Sequence, residues 1–206
     1  MAALRGNEAG AAMIPVAPKP EPASFNGKVR TPGNAFLASV PHPTSKQFKK
    51  KPFWKAALPD MKVAYSDVCA YSSFWMPGSS SVDHYLPKSL RPDLAYEWTN
   101  YRLAHEKINA NKGDSTDVLD PFTIQLGWFV LDIATLWIRP EAALQTKLKA
   151  DVQKTIEVLK LNDDQWVQIR FEVFTSYING DLRLAYVQRY YPFIATEIQR
   201  QGVQPK

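Results

Sequence analysis

Cysteine is almost absent. Cys69 stands alone in 206 residues, so the chain can close no internal disulfide and build no all-cysteine zinc cage. A reducing compartment suits such a chain, and the cytoplasm is the expected location. Any metal must be held mainly by oxygen and nitrogen. Long apolar runs are missing as well: none approaches the ~18 residues needed to cross a bilayer, and the N-terminus has no apolar stretch of signal-peptide length. No membrane partner is expected. Residues Met1 to Pro59 show neither helical nor strand periodicity over any sustained length.

What is present is an ordinary apolar fraction, 45%, in a chain long enough to bury a core. The formal net charge is +5 and the basic residues are unevenly placed. Lys46, Lys49, Lys50, Lys51 and Lys55 alternate with Phe48, Phe53 and Trp54. Such a patch can neutralise phosphates or meet an acidic partner; on a flexible arm it is simply solvated.

The pattern along the chain predicts an α+β protein in three segments. Residues 1–60, rich in proline and small residues, read as an extended Pro-rich arm lying along a folded body through Phe25, Val29, Phe36, Leu37 and Val40. Residues 61–120 read as short strands around a loop and then a helix. The Pro77-Gly78 pair predicts a hairpin between Val68–Tyr71 and Ser81–His84; Trp98–Ala104 makes a further strand and His105–Lys112 a helix. Residues 121–206 begin with alternating Phe122, Ile124, Leu126, Trp128 and Val130, which predicts one or two strands. A C-terminal helical bundle follows. Its first helix starts at Pro140 and carries Leu144, Leu148, Val152, Ile156 and Leu159; its second is capped by Asn162 and stopped by Asn179-Gly180; its last runs from Asp181 and is interrupted near Pro192. Arg170, Arg183 and Arg189 are spaced to face solvent or an acidic partner.

The chemistry-bearing residues are Asp83 and His84 at the end of one strand, Asn100 before the next, and Asn109 on the following helix. A strand-loop-strand-helix unit folds back on itself, so these positions can meet. Phosphodiester hydrolysis needs a base for water, a cation against the developing charge, and a group that orients the base. Histidine, a carboxylate with an amide oxygen, and an asparagine supply all three.

DHYLPKS, RPDLAYEWTNYRLA and NANK together resemble the HNH nuclease family, with its ββα-metal core. They look most like the HNH endonucleases that accompany ATPases in bacterial Septu-type and retron defence systems. The resemblance spans roughly residues 60–115, and TIEVLKLNDDQWVQIR is similar to that group's helical tail. It implies a DNA endonuclease, the effector of an anti-phage defence system, partnered by DNA and by an ATPase or other sensor. His84 would be the base, Asp83 and Asn109 the ligands of Mg²⁺ or Mn²⁺, and Asn100 the residue holding the His84 ring. Lys88 and Lys112 would lie near substrate phosphates, with Lys49, Lys50 and Lys51 contacting the nucleic-acid backbone. Alternative readings are a secreted antibacterial nuclease toxin and a catalytically dead HNH-fold subunit that binds nucleic acid or assembles a complex.

Many relatives carry two Cys-x-x-Cys pairs for a structural zinc. Here the corresponding positions are Cys69 with Ser72, and His105 with Ile108. No structural zinc is expected, and Tyr71, Phe74, Trp75 and Trp98 would stabilise the unit in its place. Asn111 competes with Asn109 as the helix ligand, and either could be a C-cap before Gly113. His105 reads as structural or exposed, Cys69 as a small buried residue, Glu97 and Glu106 as solvated charges, and His42 as a residue without a role.

Overall fold

The computed structural model describes residues 16–206; the first fifteen residues of the expected arm lie outside the described residues. From Asn26 onward that arm is helical rather than extended. Proline opens its helices instead of ending them: Pro32 lies in the first turn of α1 (Thr31–Ser39) and Pro59 in that of α3 (Leu58–Ala64), where a missing N–H costs nothing. Between them, α2 (Ser45–Lys50) starts at a capping box in which Thr44 and Gln47 bond each other's backbone N–H. A π-helical turn, Asn26–Arg30, precedes α1, and a 3-10 turn, Phe53–Ala57, precedes α3. The expected anchors Phe25 and Val29 are buried, and Phe36 and Leu37 pack against the core. Phe25 meets Trp98 and Tyr101 edge-on at 5.6 and 5.7 Å.

The central unit is a two-stranded antiparallel sheet followed at once by a helix. β1 (Ser80–His84) pairs with β2 (Tyr101–His105), setting Ser80 opposite His105 and His84 opposite Tyr101, and α4 (Glu106–Lys112) continues from β2. The hairpin expected between Val68–Tyr71 and Ser81–His84 does not form. Residues 68–75 instead close on themselves, Cys69 N–H donating to the Phe74 carbonyl and Ser73 N–H to the Cys69 carbonyl, with Ser73 at φ +57°. Only Val68 and Trp75 bridge.

A second hairpin, β3 (Phe129–Asp132) with β4 (Trp137–Pro140), buries Phe129, Leu131 and Ile138 by strand alternation. Pro140 therefore ends a strand and does not start a helix. α5 (Thr146–Leu159) begins later and buries Val152, Ile156 and Leu159. Asp163, not Asn162, is the cap residue of α6 (Asp164–Ile178), because the Asn162 amide is engaged by both backbone groups of Ile138 at 2.8 and 2.9 Å. α6 stops at Asn179-Gly180, Gly180 taking φ +81°. α7 (Leu184–Tyr190) and α8 (Pro192–Arg200) are divided at Pro192 as expected. Arg170 faces neither solvent nor a partner. It is buried and donates to the carbonyls of Leu136 and Leu161 and to Asn162 Oδ1, and burial without a carboxylate pulls its guanidinium down to about 10. Side chains from all three sequence segments share one buried cluster, among them Phe48, Leu103 and Trp166.

Candidate active site

Asp83 and His84 end β1, α4 carries Asn109 and Lys112, and residues 85–100 wrap over them. A cavity of about 390 Å³ opens at this junction, lined by Asp83, His84, Lys88 and Asn109 together with Trp54 and Asp114. Of the expected site residues, the fold thus gathers Asp83, His84, Lys88 and Asn109. Asn100 and Lys112 sit behind the wall, while Lys49, Lys50 and Lys51 are exposed at the end of α2.

His84 is 6% exposed, and its Nε2 lies 2.8 Å from the Ala95 carbonyl. A carbonyl only accepts, so Nε2 carries the proton and Nδ1 keeps its lone pair. Trp54 and Tyr101 hold the ring edge-on at 5.1 and 5.2 Å. Burial, with Lys88 second, pushes the imidazole down to about 3, against the opposing pull of the Ala95 carbonyl. The ring is neutral at physiological pH.

The group that orients His84 is the Ala95 backbone, not the Asn100 side chain. Asn100 acts one step back: Oδ1 accepts the Leu86 N–H at 2.8 Å, and Nδ2 donates to the carbonyls of Leu86 and Leu94 at 3.0 and 3.2 Å. It ties together the two ends of the loop that presents Ala95. The short side chain cannot satisfy these three backbone groups and also reach the ring.

Asn109 donates Nδ2 to Ser81 Oγ and the Val82 carbonyl at 3.0 and 3.3 Å. Its Oδ1 accepts no hydrogen bond among the described residues, and Asn109 is one of the residues lining the cavity. Asn111 instead donates to the Leu159 carbonyl and takes no part in the lining. The backbone N–H of Gly113, at φ +51°, closes the helix on the Asn109 carbonyl.

Asp83 is 2% exposed and both its oxygens are engaged, Oδ2 by the Tyr71 hydroxyl at 2.6 Å and Oδ1 by Lys112 Nζ at 3.1 Å. Lys112, expected beside substrate phosphates, is therefore a buried counter-ion. It is itself 2% exposed and also donates to the His84 carbonyl at 2.9 Å. Burial raises the Asp83 carboxyl, while the Lys112 ammonium and the Tyr71 hydroxyl oppose the rise; Tyr71 is pushed well up by burial and by Asp83. Lys55 and Lys88 are the cations in the lining, and Lys88 Nζ stands 5.3 Å from the Trp54 ring centre. Burial lowers its affinity for a proton, and Asp114 and Asp83 partly restore it. Asp114 Oδ2 accepts from Ser89 Oγ at 2.8 Å.

Away from the cavity, His105 caps α4 by accepting the Lys107 N–H on Nδ1, and Cys69 Sγ accepts the N–H groups of Ser72 and His105. Glu97 is not merely solvated: it binds Arg30, which also pairs with Glu21. Tyr71, Trp54, Ala95 and Asp114 are the participants that sequence reasoning did not assign to the site.

The oxygen-bearing side chains at the cavity that could hold a hard cation are Asp83, Asn109, Glu106 and Asp114, Asp83 being already paired with Lys112 and Tyr71. No group of three or more His, Cys, Asp or Glu that could hold an ion occurs among the described residues. Hard oxygen donors suit Mg²⁺ or Mn²⁺, ions that keep several waters and complete their shell with substrate phosphates. No protein-family model matches the chain, and no curated protein matches it significantly.

Proposed function

We propose that the chain is a metal-dependent endonuclease of the HNH type that hydrolyses DNA phosphodiester bonds. Its place would be that of the nuclease effector of an anti-phage defence system, restrained by an ATPase or another sensor. The observation that supports the activity best is the state of His84. A neutral imidazole, fixed through Nε2, leaves Nδ1 without a hydrogen bond among the described residues, and His84 lines a cavity with Lys55, Lys88 and Asn109.

In this reading, Nδ1 of His84 takes the proton of the attacking water, and the Ala95 carbonyl stabilises the imidazolium that forms. A phosphodiester in the cavity places negative charge beside the ring and lifts its proton affinity toward the working pH. Lys88 opposes the charge developing on the phosphoryl oxygens. Asp83 and Asn109 would hold Mg²⁺ or Mn²⁺, which supplies Lewis-acid neutralisation of that charge and of the leaving oxygen. Asn100 keeps the loop closed. Lys49, Lys50, Lys51 and Lys55 extend a basic wall along which the strand's phosphates run.

The test is supercoiled plasmid incubated with the purified chain in Mg²⁺, Mn²⁺ or EDTA, beside His84→Ala. Metal-dependent nicking or linearisation is expected, falling about 10²- to 10⁴-fold in the variant, the range for loss of a positioned base. DNA binding without cleavage in every metal would sink the reading and leave a nucleic-acid-binding subunit.

A further inference from the structure

The charges around the cavity cancel before any ligand enters. Lys55, Lys88, Glu106, Asp114 and Asp83 line it, and Lys112 is bonded to Asp83. Three ammonium groups, two in the lining and Lys112 behind it, therefore offset three carboxylates. The carboxylate meant for the ion is the one most completely compensated, because Lys112 Nζ sits 3.1 Å from Oδ1 and the Tyr71 hydroxyl 2.6 Å from Oδ2. Lys112 has no freedom to withdraw. It is buried, its Nζ is shared between Asp83 and the His84 carbonyl, and it lies one helical turn after Asn109, on the element that carries the other oxygen donor. A divalent cation arriving alone would add two positive charges to a cavity whose three carboxylates are already offset by three ammonium groups, and Asp83, the carboxylate assigned to it, is already paired. Each nucleic-acid phosphate adds one negative charge to the same space.

We infer that the divalent cation and the DNA phosphate enter this cavity together, each binding poorly without the other, and that Lys112 imposes the coupling by acting as the resident counter-ion of Asp83. The inference rests on the nuclease reading above. It also gives the buried pair a regulatory role: without nucleic acid the metal site stays closed by charge, so the site assembles only on its substrate.

The experiment measures Mn²⁺ binding by electron paramagnetic resonance to full-length His84→Ala, which keeps DNA intact. It is done without DNA and with a saturating short duplex, after subtracting Mn²⁺ held by the duplex alone. The duplex is expected to tighten Mn²⁺ binding at least about tenfold, within the usual range of coupling between sites, and Mn²⁺ must tighten duplex binding by the same factor, read by fluorescence anisotropy. Adding Lys112→Met should raise Mn²⁺ affinity of the free protein at least about tenfold and shrink the effect of DNA. Equal Mn²⁺ affinity with and without duplex overturns the inference, and if plasmid is still cleaved by the unsubstituted chain the nuclease reading survives it. Absence of Mn²⁺ binding in both states together with absence of cleavage overturns both. Where Lys112→Met does not fold by circular dichroism, the comparison of free and DNA-bound His84→Ala decides.

Discussion

His84 would be a poor choice of surface residue and is a good choice here, because its neutrality is fixed by burial rather than by solution pH. That neutrality has a thermodynamic cost. The folded ring titrates near 3, below the unfolded value of about 6.5, so between those two values the unfolded chain binds more protons. Stability therefore rises with pH across this window and is lost as pH falls through it. In EDTA, urea unfolding should show the wild-type chain losing about 2 kcal/mol more than His84→Ala between pH 7 and pH 5, from this group alone. Equal losses would show that the ring is not held neutral. That Asp83, His84 and Asn109 come to one cavity was legible from spacing; the Ala95 carbonyl was not, since a backbone group leaves no mark in residue type. Lys112 was readable and was misread. It lies four residues after buried Ile108, and that interval places it on the inward face of the helix.

At the scale of elements, the failures cluster where helices are short. α1, α2 and α3 have nine, six and seven residues, too few for hydrophobic periodicity to declare itself. Pro32 and Pro59 stand in first turns, and Thr44 with Gln47 forms a capping box. These helices matter to the site. Trp54 abuts His84, and α1 docks on Tyr96, the neighbour of Ala95, through Gly33. A Cβ built at Gly33 would fall 2.1 Å from Tyr96 Cγ, a clash with the stem of a ring that is itself buried and cannot swing away. Gly33→Ala should cost about 1–3 kcal/mol, the usual range for overpacking a close contact, and Gly33→Val more. Thermal denaturation checks this, and an unchanged midpoint for both variants would mean α1 is not seated on Tyr96. Because Tyr96 adjoins the carbonyl that orients the imidazole, plasmid nicking by Gly33→Ala should fall more than its folded fraction does.

Over the whole molecule, the strand-strand-helix unit was legible because its pairings are local and its motif dense, whereas its embedding was not, because that depends on contacts far apart in sequence. Around Cys69 and His105 the corner is closely packed. Cys69 and His105 are joined by a backbone N–H to thiol bond, and Trp166 of α6 sets its ring against His105 at 4.9 Å and Phe74 at 6.1 Å. A helix 60 residues downstream in the chain thus braces the corner where β2 passes into α4, the helix that carries Asn109. If packing holds this corner, its stability should respond to apolar truncation and not to chelation. Trp166→Ala should cost about 3–5 kcal/mol, which for a chain of this size lowers the melting temperature by roughly 10 °C. EDTA should leave the wild-type midpoint where it is. Zinc at one equivalent in the purified protein, with a midpoint that drops on chelation, would instead show that metal binding is part of folding here. If the nuclease reading holds, Trp166→Ala should also weaken Mn²⁺ binding to the DNA complex while leaving duplex affinity in metal-free buffer nearly unchanged, since the corner it braces carries Asn109 and not Lys49, Lys50 or Lys51.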